Sequence, residues 1–256
     1  MKVGTKLAYA AMLTAGAYAA ALRTWLWRWG ATDEEVAGPY PGAGLVPEAK
    51  RSPTMAVTID APPEQVWPWL VQMGWDRAGW YSWDLLDNAG RRSATEIHPE
   101  WQDLAVGDEL KFWVLGRVAD AYRVAVIEPN RFLGLHGYSD LRGRWLDPSE
   151  PRPSSYMEAL WGFQLRELAR ARTRLVISGY QKFRPLWLER SFAPWFVLAV
   201  SWPMQARLMA VLKRNIERAT RPSSTVTKAG GEAPALAGER TSASTPRLRV
   251  DRRAAS

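Results

Sequence analysis

The chain contains no cysteine. Disulfide frameworks, thiolate metal sites and cysteine nucleophiles are therefore excluded, and the redox state of the compartment leaves no trace in the sequence. Histidine is nearly as scarce. His98 and His136 are the only two, too few for a multi-histidine metal centre, so neither a metal nor a cofactor is expected. Also missing are a nucleophile elbow, a glycine-rich phosphate loop and an acid cluster at metal-ligand spacing. Acidic residues are unevenly absent. Of 34 basic and 26 acidic side chains, four basic and no acidic ones fall in residues 1–32, seven and three fall in 221–256, and 23 of each remain between. The formal charge of +8 thus sits at the two ends. The middle has no global positive field of the kind that phosphate binding uses, which argues against nucleic acid as a partner.

What is present is apolar and aromatic. With 256 residues and 47% apolar content the chain can fill one sizeable core. Leu7 to Leu22 is a charge-free, alanine-rich stretch of sixteen residues after Lys2 and Lys6. As a helix it spans about 24 Å, short of a bilayer core of roughly 30 Å unless Arg23 snorkels and Trp25-Leu26-Trp27 extend it. Trp25, Trp27 and Trp29 suit an interfacial belt. The expected reading of residues 1–29 is an uncleaved membrane anchor. A signal peptide cleaved near Ala17-Tyr18-Ala19 and an ordinary soluble helix are the alternatives, giving a secreted or a cytoplasmic protein. Beyond Arg221 the Ser, Thr, Ala, Pro, Gly and Arg composition predicts a disordered basic tail over 221–256.

Between the ends, Ala37 to Pro53 reads as a turn-rich connector. Thr54 to Ile59 alternates as a strand does, and Val66, Trp69, Leu70 and Met73 repeat at helical spacing after Pro62-Pro63. The helix is expected to start near Pro63, with Pro68 kinking or shortening it. Ser82 to Asn88 predicts a second short helix capped by Ser82. Residues 109–114, 122–127, 131–136, 156–168 and 174–183 read as strands in hairpin sequence, which indicates an antiparallel sheet. From about Ser191 to Ala219 a long helix is expected, very apolar through Phe192, Trp195, Phe196, Leu198, Val200 and Trp202 and bent at Pro203. Its second half carries Leu208, Met209, Leu212 and Ile216 on one side, and it is the only long element available to cover a curved sheet.

The stretches Trp29-Gly30-Ala31-Thr32-Asp33-Glu34-Glu35-Val36, Ile59 through Gly74, and Gly79-Trp80-Tyr81-Ser82-Trp83-Asp84 resemble the SRPBCC superfamily. This is the START-like, helix-grip group, which includes polyketide cyclases and lipid-transfer domains. The likeness covers roughly Gly30 to Thr220. It implies an α+β fold in which an antiparallel sheet wraps a long C-terminal helix, with a domain over 30–220. It further implies a cavity for a hydrophobic small molecule or lipid, in binding or transport at a membrane.

Such a cavity needs an apolar lining with few polar groups. The candidates from the sequence are Trp67, Met73, Trp80, Tyr81, Asp84, Phe112, His136, Trp161 and Phe163. The alternative function is a cyclase- or dehydratase-like enzyme. His98 would be its proton shuttle, because imidazole titrates nearest neutrality, with Asp84 or Glu100 orienting it and Tyr81 donating to a substrate carbonyl. A structural membrane protein without a ligand is a third reading.

Overall fold

The computed structural model describes residues 3–114, 116–191 and 200–221. Met1–Arg221 forms one unit; the other, Pro222–Ser256, lies outside the described residues, as does the predicted tail within it. Helix α1 (Val3–Trp27) is followed by the short α2 (Asp33–Ala37), strand β1 (Lys50–Arg51) and strand β2 (Met55–Ile59). Next come α3 (Pro63–Val71), α4 (Asp84–Asp87), β3 (Glu109–Val114), β4 (Arg117–Glu128), β5 (Phe132–Ser139), β6 (Tyr156–Leu168) and β7 (Arg172–Arg184). The chain then forms α5 (Leu186–Ser191) and, after residues outside the description, α6 (Trp202–Thr220).

The seven strands make one sheet in the order β1-β7-β6-β5-β4-β3, with β2 also paired to β7, and every pairing is antiparallel. The α+β class and the antiparallel sheet with a C-terminal helix are as the sequence predicts. The sheet is centred on the β6–β7 hairpin, whose two 13-residue strands turn through Arg170 and Ala171 at positive φ. Side chains alternate across a strand. Leu133, Leu135, Trp161, Phe163, Leu165, Leu175 and Ile177 therefore share an inner face, where they meet α3 and the Leu208, Met209, Leu212 and Ile216 side of α6 in the main core.

Pro63 occupies the first turn of α3, where its missing N–H leaves nothing unpaired, and Pro68 lies within a helix that continues to Val71. Pro203 likewise sits in the first turn of α6. The predicted helix over 192–199 lies outside the described residues. Ser82 does not cap α4: Trp83 holds the cap position without a side-chain bond, and Ser82 Oγ donates to Met204 O of α6 at 3.0 Å.

The segment predicted as a connector does more than connect. Tyr40 is buried on the outer face against Phe132 and Val176, its hydroxyl lying 2.7 Å from Gly162 O and 3.0 Å from Val176 O and accepting from Ser178 N. A side chain at Gly162 would meet the Tyr40 ring at 2.7 Å, so the strand has glycine there. Trp27 O and Trp29 O accept from Thr54 N and Ala56 N, adding backbone to the outer edge of β2. Gly30, at φ +70, allows the close approach, since a Cβ there would lie 2.3 Å from Ala56 O. Thr32 then caps α2 in a reciprocal box with Glu35, whose buried carboxylate takes a two-point bond from Arg174.

Among the described residues no helix is long and apolar enough to cross a membrane. Helix α1 has the length, but alanine, glycine and threonine dilute it and Lys6 and Arg23 charge it.

Candidate functional site

The inner face carries a wall of packed rings. Trp80 stacks on Phe112 at 3.9 Å and on Trp161 at 5.7 Å, Tyr122 lies 5.8 Å from Phe112 and 5.6 Å from Trp161, and Phe163 lies 4.7 Å from Trp161. Offset contacts at such separations are favourable beyond the area they bury. Trp80 and Phe163 are fully buried, whereas Phe112, Tyr122 and Trp161 keep accessible surface. Two indole N–H groups fix the wall, Trp80 Nε1 donating to Lys111 O and Trp161 Nε1 to Gln205 Oε1 of α6, each at 3.0 Å. At the start of α6, Trp202 meets Trp29 edge-on at 6.2 Å.

The polar groups of the wall are few. The Tyr122 hydroxyl has no hydrogen-bond partner among the described residues, and burial alone pushes it up to about 12. Trp202 Nε1 is buried and also unpartnered among the described residues. The Tyr122 hydroxyl is thus a polar group of the inner face that meets no described protein partner.

Of the nine ligand candidates read from the sequence, Trp80, Phe112, Trp161 and Phe163 come together in this wall. Trp67 is half-buried and packs on the same core, and Met73 is enclosed in it. Tyr81 is fully buried, tilted against Trp69 at 6.0 Å. His136 is misplaced by one register position. It pairs with Leu160 while Leu135 pairs with Trp161, so the period of two puts the imidazole on the outer face. There its Nε2 lies 3.3 Å from Glu158 Oε1 and its ring meets Trp145 edge-on. Tyr122, Trp202 and Gln205 were missed, although the Tyr122 position follows from the alternation through Val124.

The proposed proton-transfer group is not assembled. The His98 ring contacts the Glu100 carboxylate at 3.2 Å and Trp101 at 4.4 Å between ring centres, in a partly exposed loop. Asp84 Oδ1 instead accepts from Ser93 N at 3.1 Å, Ser93 Oγ at 2.9 Å and Asn88 Nδ2 at 3.2 Å. Tyr81 points its hydroxyl at Gln72 Nε2, and burial raises its phenol well above the ordinary range. Gln72, unmarked in the sequence, is the buried hub. It donates also to Glu96 O and accepts from His98 N and Gln102 Nε2. These bonds brace the loop that carries His98 through its backbone. The imidazole itself meets Glu100, and neither the Asp84 carboxylate nor the Tyr81 hydroxyl bonds it.

Two open exterior recesses occur among the described residues. One, of about 390 Å³, runs along Lys213, Arg214, Glu217, Arg218 and Arg221 on the solvent side of α6; the other, of about 530 Å³, is bounded by Arg117, Asp140, Arg142, Arg144 and Trp145. Neither lies at the ring wall. No group of three or more metal-ligating side chains occurs among the described residues.

No family model and no curated protein matches the chain. Among solved structures, a protein from Mesorhizobium loti is 21% identical, with 64% of this chain and 97% of that one covered at a TM-score of 0.35. A hypothetical protein from Helicobacter pylori is 13% identical, with 72% and 96% covered at 0.40. A protein of the dynemicin biosynthetic locus is 17% identical, with 65% and 47% covered at 0.38. Likeness this distant carries no argument about function.

Proposed function

We propose that the chain is a helix-grip domain of the SRPBCC type that binds a hydrophobic small molecule or lipid at the ring wall, close to a membrane surface. The fold reading is supported by element order: an edge strand, two helices, an antiparallel sheet, then a terminal helix packed on its inner face. The binding reading rests on one observation. Phe112, Tyr122 and Trp161 keep accessible surface on the inner face while the Tyr122 hydroxyl is desolvated and unpaired.

A ligand lying across these rings contributes about 0.8 kcal/mol for each methylene it removes from water. The Tyr122 hydroxyl and Trp202 Nε1 supply orientation to an acceptor group. The ligand stacks on the wall instead of filling a sealed chamber. Binding is favoured over proton-transfer chemistry because the His98 ring meets Glu100, while the Asp84 carboxylate bonds Ser93 and Asn88 and the Tyr81 hydroxyl bonds Gln72. Membrane proximity is supported by the exposed Tyr18, Leu22 and Trp25, which share one side of α1.

The test is mass spectrometry of organic extracts from the purified full chain, followed by titration with the recovered ligand. Tyr122→Phe removes only the hydroxyl and is expected to weaken a ligand bearing a polar head about two- to tenfold, the worth of one net hydrogen bond. Trp161→Ala is expected to weaken any ligand by more than tenfold. Extracts without a bound molecule, or affinity indifferent to both changes, would refute the reading.

A further inference from the structure

The turn after the ring wall presents apolar side chains to solvent. Leu85 is 78% exposed and Leu86 58%, and Trp83 beside them is exposed as well. These three are held outward by a braced turn rather than left loose. Leu86 N donates to Trp83 O at 2.7 Å, Gly90 N to Asp84 O at 2.7 Å, and the Asp84 carboxylate gathers Ser93 and Asn88 beneath. Exposed leucines on a rigid, internally bonded turn are costly in water and are not explained by fraying.

The turn is tied to one end of α6. Ser82 Oγ reaches Met204 O, Arg207 Nε donates to Ser82 O at 3.1 Å, and the Arg207 guanidinium lies 4.4 Å over the Trp83 ring. On that same first turn Trp202 meets Trp29, which follows directly on α1. The segment leading into α4 and the residues just after α1 therefore both meet the start of α6. Each flank exposes apolar groups, Trp83, Leu85 and Leu86 on one, Leu22 and Trp25 on the other, and Val200 at the start of α6 is exposed as well. Arginines accompany both flanks. Arg23 and Arg92 are exposed, and Arg207 covers Trp83. Of the acids of the turn, Asp87 is buried and Asp84 is engaged from three sides.

We propose that this end of the molecule is a two-footed docking surface for an anionic lipid bilayer, with Trp83, Leu85 and Leu86 as a second foot beside α1. Leucines and tryptophans enter the headgroup–acyl boundary while arginines meet lipid phosphates. The inference builds on the membrane proximity proposed above and adds the α4 turn. It places the membrane at the end of α6 that also bears Gln205, the acceptor of the wall's Trp161, so a ligand would exchange between wall and bilayer without crossing water.

The absence of cysteine makes the test clean. The full chain carrying Leu86→Cys, labelled with an environment-sensitive nitrobenzoxadiazole, is mixed with phosphatidylcholine vesicles with and without phosphatidylglycerol. The label is expected to shift to the blue and brighten several-fold with the anionic vesicles, and the same label at exposed Leu141→Cys to stay in water. Leu85→Ser with Leu86→Ser is expected to lower flotation with those vesicles about tenfold. A chain that floats while the label at 86 stays in water overturns the second foot alone. A chain that does not float overturns membrane proximity as well, and leaves ligand binding in solution to be judged separately. Brightening that grows with protein concentration in the absence of vesicles means that a second copy covers the turn, and also overturns the proposal.

Discussion

Replacing Asp87 with asparagine is expected to stabilise the folded chain at pH 7 by about 3 kcal/mol and to change little in acid. Asp87 is 1% exposed, and neither carboxyl oxygen has a hydrogen-bond partner among the described residues. Burial, with the charge of Asp84 adding to it, pushes the carboxyl from 3.8 up to about 6. The folded state therefore keeps its proton where the unfolded chain has released it. The stability from this group is complete below 3.8 and is lost as pH rises through about 6. Asparagine cannot ionise, so the pH-dependent loss disappears with it. Urea unfolding of both proteins across this range checks the account; a difference that does not vary with pH would refute it.

Arg174→Met is expected to be the most damaging single change considered, costing about 3–5 kcal/mol, because it strands a buried carboxylate. Arg174 Nε and Nη2 each donate to Glu35 at 2.8 Å, and Nη2 also holds Gly30 O at 2.6 Å. Burial acts to raise the Glu35 carboxyl, yet the bonds from Arg174 and Thr32 outweigh it and hold the group below its ordinary value. That stability is present above 4.5 and is lost as pH falls through the lowered value. In the variant the carboxylate is uncompensated, so the damage shrinks in acid. Glu35→Leu combined with Arg174→Met restores most of the stability, since the apolar pair leaves no charge behind. A double variant as unstable as the single one would show that the ion pair is not the cause. Thermal unfolding at neutral and acid pH measures both effects.

The elements most visible in the sequence were those whose periodicity coincides with burial. Residues 156–168 alternate because one face meets α6 and the other Tyr40, and their bounds were readable without coordinates. The strand-to-helix junction at Pro62-Pro63 was readable for the same reason, with proline punctuation added. Residues 31–52 were not readable as a cover for the outer face. They have no period, and Tyr40 and Glu35 act through partners more than a hundred positions away. The site was half visible. Trp80, Phe112, Trp161 and Phe163 of the inner face were selected from the sequence, but placing His136 required knowing the face of β5. Gln72 gave no signal, because a glutamine on an amphipathic helix looks the same whether it is solvated or bonded on all sides.

The backbone pairing of Trp27 and Trp29 with Thr54 and Ala56 determines where the protein can be shortened. A version trimmed to begin after Trp29 would leave the amides of β2 bare along an open sheet margin, an invitation to strand addition between molecules. Aggregation of such a trimmed product would therefore reflect a missing edge guard, not a body unable to fold. Soluble truncations should retain the tryptophan segment and start upstream of it.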